Sequence, residues 1–196
     1  AVLIAIIVII MFIFIIKGLL SKDTTTGKIT TKNYFATYKD NKWGVIDSAG
    51  NDVIDPSYKE MIVVPNSKSA VFICTYDVNY ETGEYKTKAL NSKNEEILTQ
   101  YDQIEAISNQ DENNNLWYED MALKVKKDGK YGLINLDGKE LLSCEYDKIS
   151  ALPGIKATLK IEKDGKIGIV TTEGKMLIKP EYQEIQALGK DSKDGF

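Results

Sequence analysis

The chain opens on sixteen uninterrupted apolar residues, Ala1 to Ile16, and with Lys17 at the border and Gly18, Leu19 and Leu20 behind it the run reaches twenty. At about 1.5 Å per residue such a run covers roughly 30 Å, the thickness of a bilayer core. No polar stripe marks one face, so the pattern predicts a membrane-spanning helix over residues 1–20 and not a buried soluble helix. The step Lys17-Gly18-Leu19-Leu20-Ser21-Lys22 has no Ala-x-Ala chemistry, which favours an anchor over a cleaved signal peptide. Lys17, Lys22, Lys28 and Lys32 against Asp23 draw the downstream flank toward the cytoplasm, whereas a short basic tail ahead of a single span places a large domain outside. The second arrangement is the expected one: a single-pass protein of the cell membrane with its soluble part outside the cytoplasm. Residues 21–33 read as a Thr-rich linker.

Past the linker the pattern becomes a repeat. Lys42 to Tyr58 (KWGVIDSAGNDVIDPSY), Lys130 to Tyr146 (KYGLINLDGKELLSCEY) and Lys166 to Tyr182 (KIGIVTTEGKMLIKPEY) align without gaps. A fourth, degenerate copy runs from Ala89 to Tyr101, with Asn94 standing where the others carry Gly50, Gly138 and Gly174. Asn is the side chain that best tolerates positive φ, so the exchange is physically conservative. The closing tyrosines, Tyr58, Tyr101, Tyr146 and Tyr182, are 43, 45 and 36 residues apart. Four units follow, at about 34–64, 70–107, 118–152 and 155–188, and residues 189–196 are either a tail or the start of a further unit.

Each unit predicts an antiparallel meander. Its first strand alternates, as in Leu123-Lys124-Val125-Lys126 and Leu159-Lys160-Ile161-Glu162, and the lysines suit an exposed edge. Asp40-Asn41, Asp128-Gly129 and Asp164-Gly165 are two-residue hairpin turns. The second strand is apolar on both faces (Val45-Ile46, Leu133-Ile134, Ile169-Val170) and is expected to be central. The second Gly turn leads to a third strand holding Val53-Ile54, Ile97-Leu98, Leu141-Leu142 or Leu177-Ile178. An apolar patch after each tyrosine (61–64, 104–107, 149–152, 185–188) is either a short fourth strand or the crossing to the next unit. One such meander cannot cover two-faced strands, so neighbouring units must stack. The fold class is all-β: tandem three- to four-stranded meanders, in a propeller-like ring or an open curved array, after one N-terminal helix.

These residues resemble the bacterial WG-repeat family, whose unit is roughly K-W-G-(aromatic or aliphatic)-I-D-x-x-G-x-x-V-I-P-x-x-Y-D-x-I. The first copy carries the resemblance most literally, through Lys42, Trp43, Gly44, Ile46, Asp47, Gly50, Val53, Ile54, Pro56 and Tyr58. Tyr131-Gly132 and Ile167-Gly168 replace Trp-Gly in the later copies, and Pro56 matches Pro180 but becomes Cys144. The resemblance spans roughly residues 34–188. It implies a repeat scaffold that is joined to varied partner domains, and it supplies no catalytic residues.

Composition narrows the chemistry. All 25 cationic side chains are lysines, and the chain has neither histidine nor arginine. This excludes a His-based triad, a His-ligated metal and a bidentate Arg clamp on phosphate; two cysteines, Cys74 and Cys144, exclude a four-Cys zinc site. The cysteines read as small buried thiols, with one disulfide conceivable outside the cell. Lysines alternating with a slight excess of acids leave no basic face for nucleic acid. The repeat aromatics read as packing between units in preference to a binding strip. The loop Ser108 to Asn115 (SNQDENNN) has the acid and amide spacing of a calcium loop but neither its sixth-position Gly nor its twelfth-position Glu, and it reads as a solvated insertion. No cofactor and no metal is expected, and the oligomeric state is left open. The functional expectation is a membrane-anchored, non-catalytic repeat module that binds a protein or a cell-envelope polymer. A carboxylate-based envelope hydrolase and a filament subunit built on the N-terminal helix are the alternatives.

Overall fold

The computed structural model describes residues 33–189. The spanning helix expected over 1–20, the linker up to residue 32 and the tail from 190 lie outside the described residues. Among those described, no helix is long and apolar enough to cross a membrane. Their regular structure is all strand: β1 (Tyr34–Lys39), β2 (Lys42–Asp47), β3 (Asp52–Tyr58), β4 (Phe72–Tyr76), β5 (Lys86–Leu90), β6 (Glu96–Ile97), β7 (Gln103–Gln110), β8 (Leu116–Lys127), β9 (Lys130–Asn135), β10 (Glu140–Tyr146), β11 (Lys148–Ala151), β12 (Thr158–Lys163), β13 (Lys166–Thr171) and β14 (Met176–Tyr182). They form four antiparallel sheets: β1-β2-β3, β4-β5-β6, β7-β8-β9-β10 and β11-β12-β13-β14.

Turn chemistry sets the hairpins. Asp40 and Asn41 lie at φ 51° and 60°, Asp128 and Gly129 at 50° and 79°, Asp164 and Gly165 at 51° and 70°, the double positive φ of a type I′ turn. The second turn repeats one hydrogen-bond pattern. Asp47, Asn91, Asn135 and Thr171 each accept, through a side-chain oxygen, the backbone N–H groups two and four residues on. Three residues on, Gly50, Asn94, Gly138 and Gly174 take φ between 60° and 83°.

Gly44, Gly132 and Gly168 have a different role. A Cβ on Gly44 would lie 2.5 Å from the Ile54 carbonyl oxygen and 2.9 Å from the Pro56 nitrogen, and one on Gly168 2.5 Å from the Ile178 oxygen and 2.8 Å from the Pro180 nitrogen. The third strand bulges against the second here, shifting register between Trp43↔Tyr58 and Val45↔Ile54 and again between Ile167↔Tyr182 and Ile169↔Ile178.

The apolar patch after a closing tyrosine leaves its own unit. It pairs with the first strand of the next one: Val63 bridges Ile73 on β4, β7 pairs with β8, and β11 pairs with β12. Structural sheets and sequence units are thus out of phase by one strand. This overturns the exposed edge expected for the lysine-bearing first strands of the third and fourth units, since β8 and β12 are inner strands. Their lysines are accommodated otherwise. Lys124 forms an ion pair with Glu105 on the donated strand, and Lys124 and Lys126 lie 5.2 Å from the ring centre of Tyr131. No described strand pairs with the outer edge of β1, which is bonded only at its start, from Tyr34 N–H to the Ser67 carbonyl at 2.7 Å.

The sheets stack in chain order. Val45, Ile54 and Ile62 meet Phe72, Cys74 and Leu90 between the first and second; Ile73, Ala89 and Ile104 meet Leu123, Val125 and Ile134 between the second and third; Leu133, Tyr146 and Ile149 meet Leu159, Ile161 and Val170 between the third and fourth. Adjacent residues of each central strand therefore serve opposite interfaces, which is why those strands are apolar on both faces. No ring closes: the four sheets form an open stack and neither a barrel nor a propeller.

Candidate binding site

One departure from the repeat builds a site. β8 runs 12 residues where its counterpart β12 runs 6, and with β7 it projects a hairpin beyond the sheet. A register shift between Ala106 and Ser108 twists this extension, after which Ser108 pairs with Tyr118, Asn109 with Trp117 and Gln110 with Leu116. At its tip Asp111 accepts the N–H groups of Asn113 and Asn115, and Asn114 takes φ 61°, the same turn used between second and third strands. The acid and amide spacing that resembled a calcium loop is thus turn chemistry. Among the described residues no group of three or more His, Cys, Asp or Glu side chains is placed to hold a metal ion.

Two buried polar side chains fix the extension to the following unit. Asn109 donates to Glu119 Oε1 at 2.9 Å and to the Ile155 carbonyl at 3.0 Å, and accepts from Gly154 N–H at 3.2 Å. Glu119, 4% exposed, also accepts from Trp117 Nε1 at 3.2 Å and from Ala157 N–H at 2.9 Å. With these partners the carboxylate is satisfied where an unpaired buried charge would be costly. The clamp holds Trp117 half-buried beside the 153–157 loop, with Lys156 Nζ 5.7 Å from the ring centre. Between hairpin and loop lies a cleft of about 680 Å³, walled by Trp117, Pro153 and Ile155 and rimmed by Gln110, Glu112, Asn113 and Lys156.

On the opposite face of the hairpin Tyr118 lines a second cleft of about 490 Å³ with Tyr85, Glu105 and Lys124. Tyr85 donates to Glu105 Oε1 at 2.7 Å; that bond, burial and the nearby carboxylate charge push its hydroxyl up to about 12. Each cleft combines an aromatic wall with acid, amide and ammonium groups. Such a lining suits a polar ligand with apolar faces, a saccharide or an extended peptide.

The repeat positions singled out in the sequence lie elsewhere. Trp43 faces Tyr58, Tyr131 faces Tyr146 and Ile167 faces Tyr182 as cross-strand pairs, one pair per sheet, so they do not form a continuous strip. Tyr146 is buried between the third and fourth sheets, Trp43 and Tyr58 pack against the cluster between the first and second, Tyr101 against that between the second and third, and Tyr182 is exposed. Cys74 and Cys144 are unpaired, and burial pushes the Cys74 thiol up to about 12, leaving it protonated and unreactive. Trp117 and Glu119 were not marked in the sequence, and Asn109 corrects the reading of Ser108 to Asn115 as a solvated insertion, since it lies on β7 and is buried. The available signal was the inserted segment itself, followed two residues on by Trp117, one of the chain's two tryptophans.

No curated protein and no solved structure matches the chain. The family model described as WG containing repeat matches residues 131–152 and 167–191, each running from the position of the second-strand aromatic through the closing tyrosine to the patch beyond it. The first unit, with its literal Lys42-Trp43-Gly44, lies outside the matched segments, and it is in the third and fourth units that the chain is similar to the WG-repeat family.

Proposed function

We propose that this chain is a membrane-anchored, non-catalytic β-repeat binding module, with its stacked sheets outside the cytoplasm and a cell-envelope polymer or protein segment as ligand at the β7–β8 hairpin. The WG-type repeats support a binding or scaffold module. The observation that carries the location is the hairpin extension. The buried repeat positions are accounted for by stacking, whereas this extension goes beyond the stack and is held by a buried Asn109–Glu119 pair with Trp117 on one face and Tyr118 on the other. Anchoring rests on the apolar run 1–20.

The test is fluorescence of the full chain in detergent carrying Trp43→Phe, so that Trp117 is the remaining tryptophan. Titration with envelope glycan fragments and with peptide pools is expected to give a saturable change in Trp117 emission, absent in Asn113→Ala/Lys156→Ala, with the ligand recovered chemically unchanged. Binding that persists undiminished in Trp117→Ala moves the site elsewhere. Ligand turnover that disappears on changing a single carboxylate contradicts the non-catalytic reading.

A further inference from the structure

Three features of the first sheet differ in the same direction from their equivalents in the third and fourth. Phe35 occupies the position of Leu123 and Leu159, as its pairing with Ile46 shows against Leu123↔Ile134 and Leu159↔Val170. Leu123 and Leu159 are 0% exposed beneath the preceding sheet; Phe35 is 48% exposed. Secondly, β8 and β12 receive an outer strand from the preceding unit, whereas β1 receives no strand among the described residues, its outer edge being met only where Tyr34 N–H donates to the Ser67 carbonyl at 2.7 Å. Thirdly, the space above the second-turn glycine is filled by the preceding unit at Gly138, where a Cβ would meet Leu98, and at Gly174, where it would meet Leu141; above Gly50 nothing lies within 4 Å. Residues 21–32, just ahead of β1, hold a single aliphatic side chain, Ile29, and no patch of the donating kind.

The far end of the stack has the complementary shape. Ile104-Glu-Ala-Ile107 and Ile149-Ser-Ala-Leu152 are the donated strands, and Ile185-Gln-Ala-Leu188 repeats their pattern. Ile185 is already buried against Leu152, Ile155 and Ile169, as Ile104 and Ile149 are in their interfaces, while Leu188 is 79% exposed and the segment pairs with no strand among the described residues. Leu177, at the repeat position of Leu141, is exposed as well.

We propose that copies of this chain join end to end, the Ile185–Leu188 segment of one copy adding as the outer strand to β1 of the next. The internal junctions dictate the register. Ile104↔Val125 with Ala106↔Leu123, and Ile149↔Ile161 with Ala151↔Leu159, translate into Ile185↔Thr37 with Ala187↔Phe35 between copies. Phe35 and Ile46 are then covered by the fourth sheet of the neighbour, and Leu177 closes over Gly50. The contact is heterologous, so it leaves a free end on each copy and propagates beyond a dimer, into open chains or a closed ring. Edge pairing supplies backbone hydrogen bonds and the Phe35 face supplies apolar burial.

The test uses the full chain in detergent, with micelles in large excess over protein so that shared micelles do not pair copies. Phe35→Cys and Ala187→Cys chains, mixed under mild oxidation, bring directly opposed Cα atoms within about 4.4–6.8 Å, the range a disulfide spans. The mixture is expected to crosslink several-fold faster than either chain alone. A chain carrying both substitutions is expected to give a ladder of trimers and tetramers, and adding Ile46→Asp, on the same exposed face, is expected to collapse that ladder. Crosslinking of Phe35→Cys alone at the rate of the mixture indicates face-to-face pairing and overturns the proposal. So does a rate no greater than that of the unsubstituted chain, whose Cys74 and Cys144 provide the background.

Discussion

The first two sheets and the last two are built from the same repeat yet differ in completeness. The third and fourth have four strands because each takes a full outer strand, β7 or β11, from the unit before it; the second sheet receives only the Val63–Ile73 bridge, and the first receives no strand among the described residues, only the bond from Tyr34 N–H to the Ser67 carbonyl. The residue after the closing tyrosine tracks this difference. Asp102 and Asp147 follow Tyr101 and Tyr146, and each accepts the N–H of the next unit's hairpin turn, Asp128 at 2.9 Å and Asp164 at 2.8 Å. After Tyr58 the residue is Lys59, which has no acceptor to offer. Within the chain each full donated strand is thus accompanied by an Asp staple to the receiving hairpin, and after Lys59 only the single Val63–Ile73 bridge is made.

The comparison is broken or sharpened most directly at equivalent positions. Leu123→Ala removes a fully buried side chain between the second and third sheets and is expected to cost roughly 3 kcal/mol in urea unfolding. Phe35→Ala, at the same repeat position on the uncovered face, is expected to stay within about 0.5 kcal/mol in dilute samples. Similar losses at both positions would mean that the first sheet is covered like the rest.

Next in size is Gly168→Val. A side chain there drives into the Ile178–Pro180 backbone, with an expected cost of about 2–3 kcal/mol, and Gly44→Val is expected to match it because the bulge is common to both ends of the stack. Gly174→Val is strained by its φ of 83° and is also blocked by Leu141; Gly50→Val meets only the φ penalty. Both are expected to lose more than about 1 kcal/mol, Gly174→Val the more, whereas Asn94→Gly should be neutral or mildly favourable. An unfolding midpoint for Gly174→Val equal to that of the unsubstituted chain would refute the turn geometry.

Much of this frame was legible in the chain. Paired positive-φ turns at Asp40-Asn41, Asp128-Gly129 and Asp164-Gly165, and the two-faced runs Leu133-Ile134 and Ile169-Val170, are local signals with few alternative readings. What escaped was non-local. Periodicity shows that Ile104 to Ile107 is apolar but not that it pairs with the strand after it, so the lysines of β8 looked like edge protection when their partners, Glu105 and Tyr131, lie on neighbouring strands. Gly44 and Gly168 looked like repeat markers, and only the opposing bulge shows why a Cβ is barred. The site was least visible, because Asn109 and Glu119 are ordinary polar residues in the sequence and their burial depends on the 152–157 loop of another unit.

The smallest expected effect concerns the Asp staple. A hydrogen bond from Lys130, together with the one from Asp164 N–H, holds the Asp147 carboxyl below the usual carboxylate range. A carboxylate whose folded value is depressed contributes stability that is present above its ordinary value and is lost as pH falls through the depressed one. Asp147→Asn is therefore expected to lower the melting temperature slightly at neutral pH, with the difference from the unsubstituted chain vanishing in acid. A difference that is constant from neutral to acid pH would exclude the charge as its source.

The central claim is that the units form an open stack in which each sheet is completed by the one before it. Amide hydrogen exchange of the monomeric chain tests this most directly. The account predicts the slowest exchange in β8–β9 and β12–β13, which have partners on both edges or both faces, and the fastest in β1, with Val45 less protected than Leu133 and Ile169. Uniform protection across Val45, Leu133 and Ile169 in a monomer would contradict the open stack.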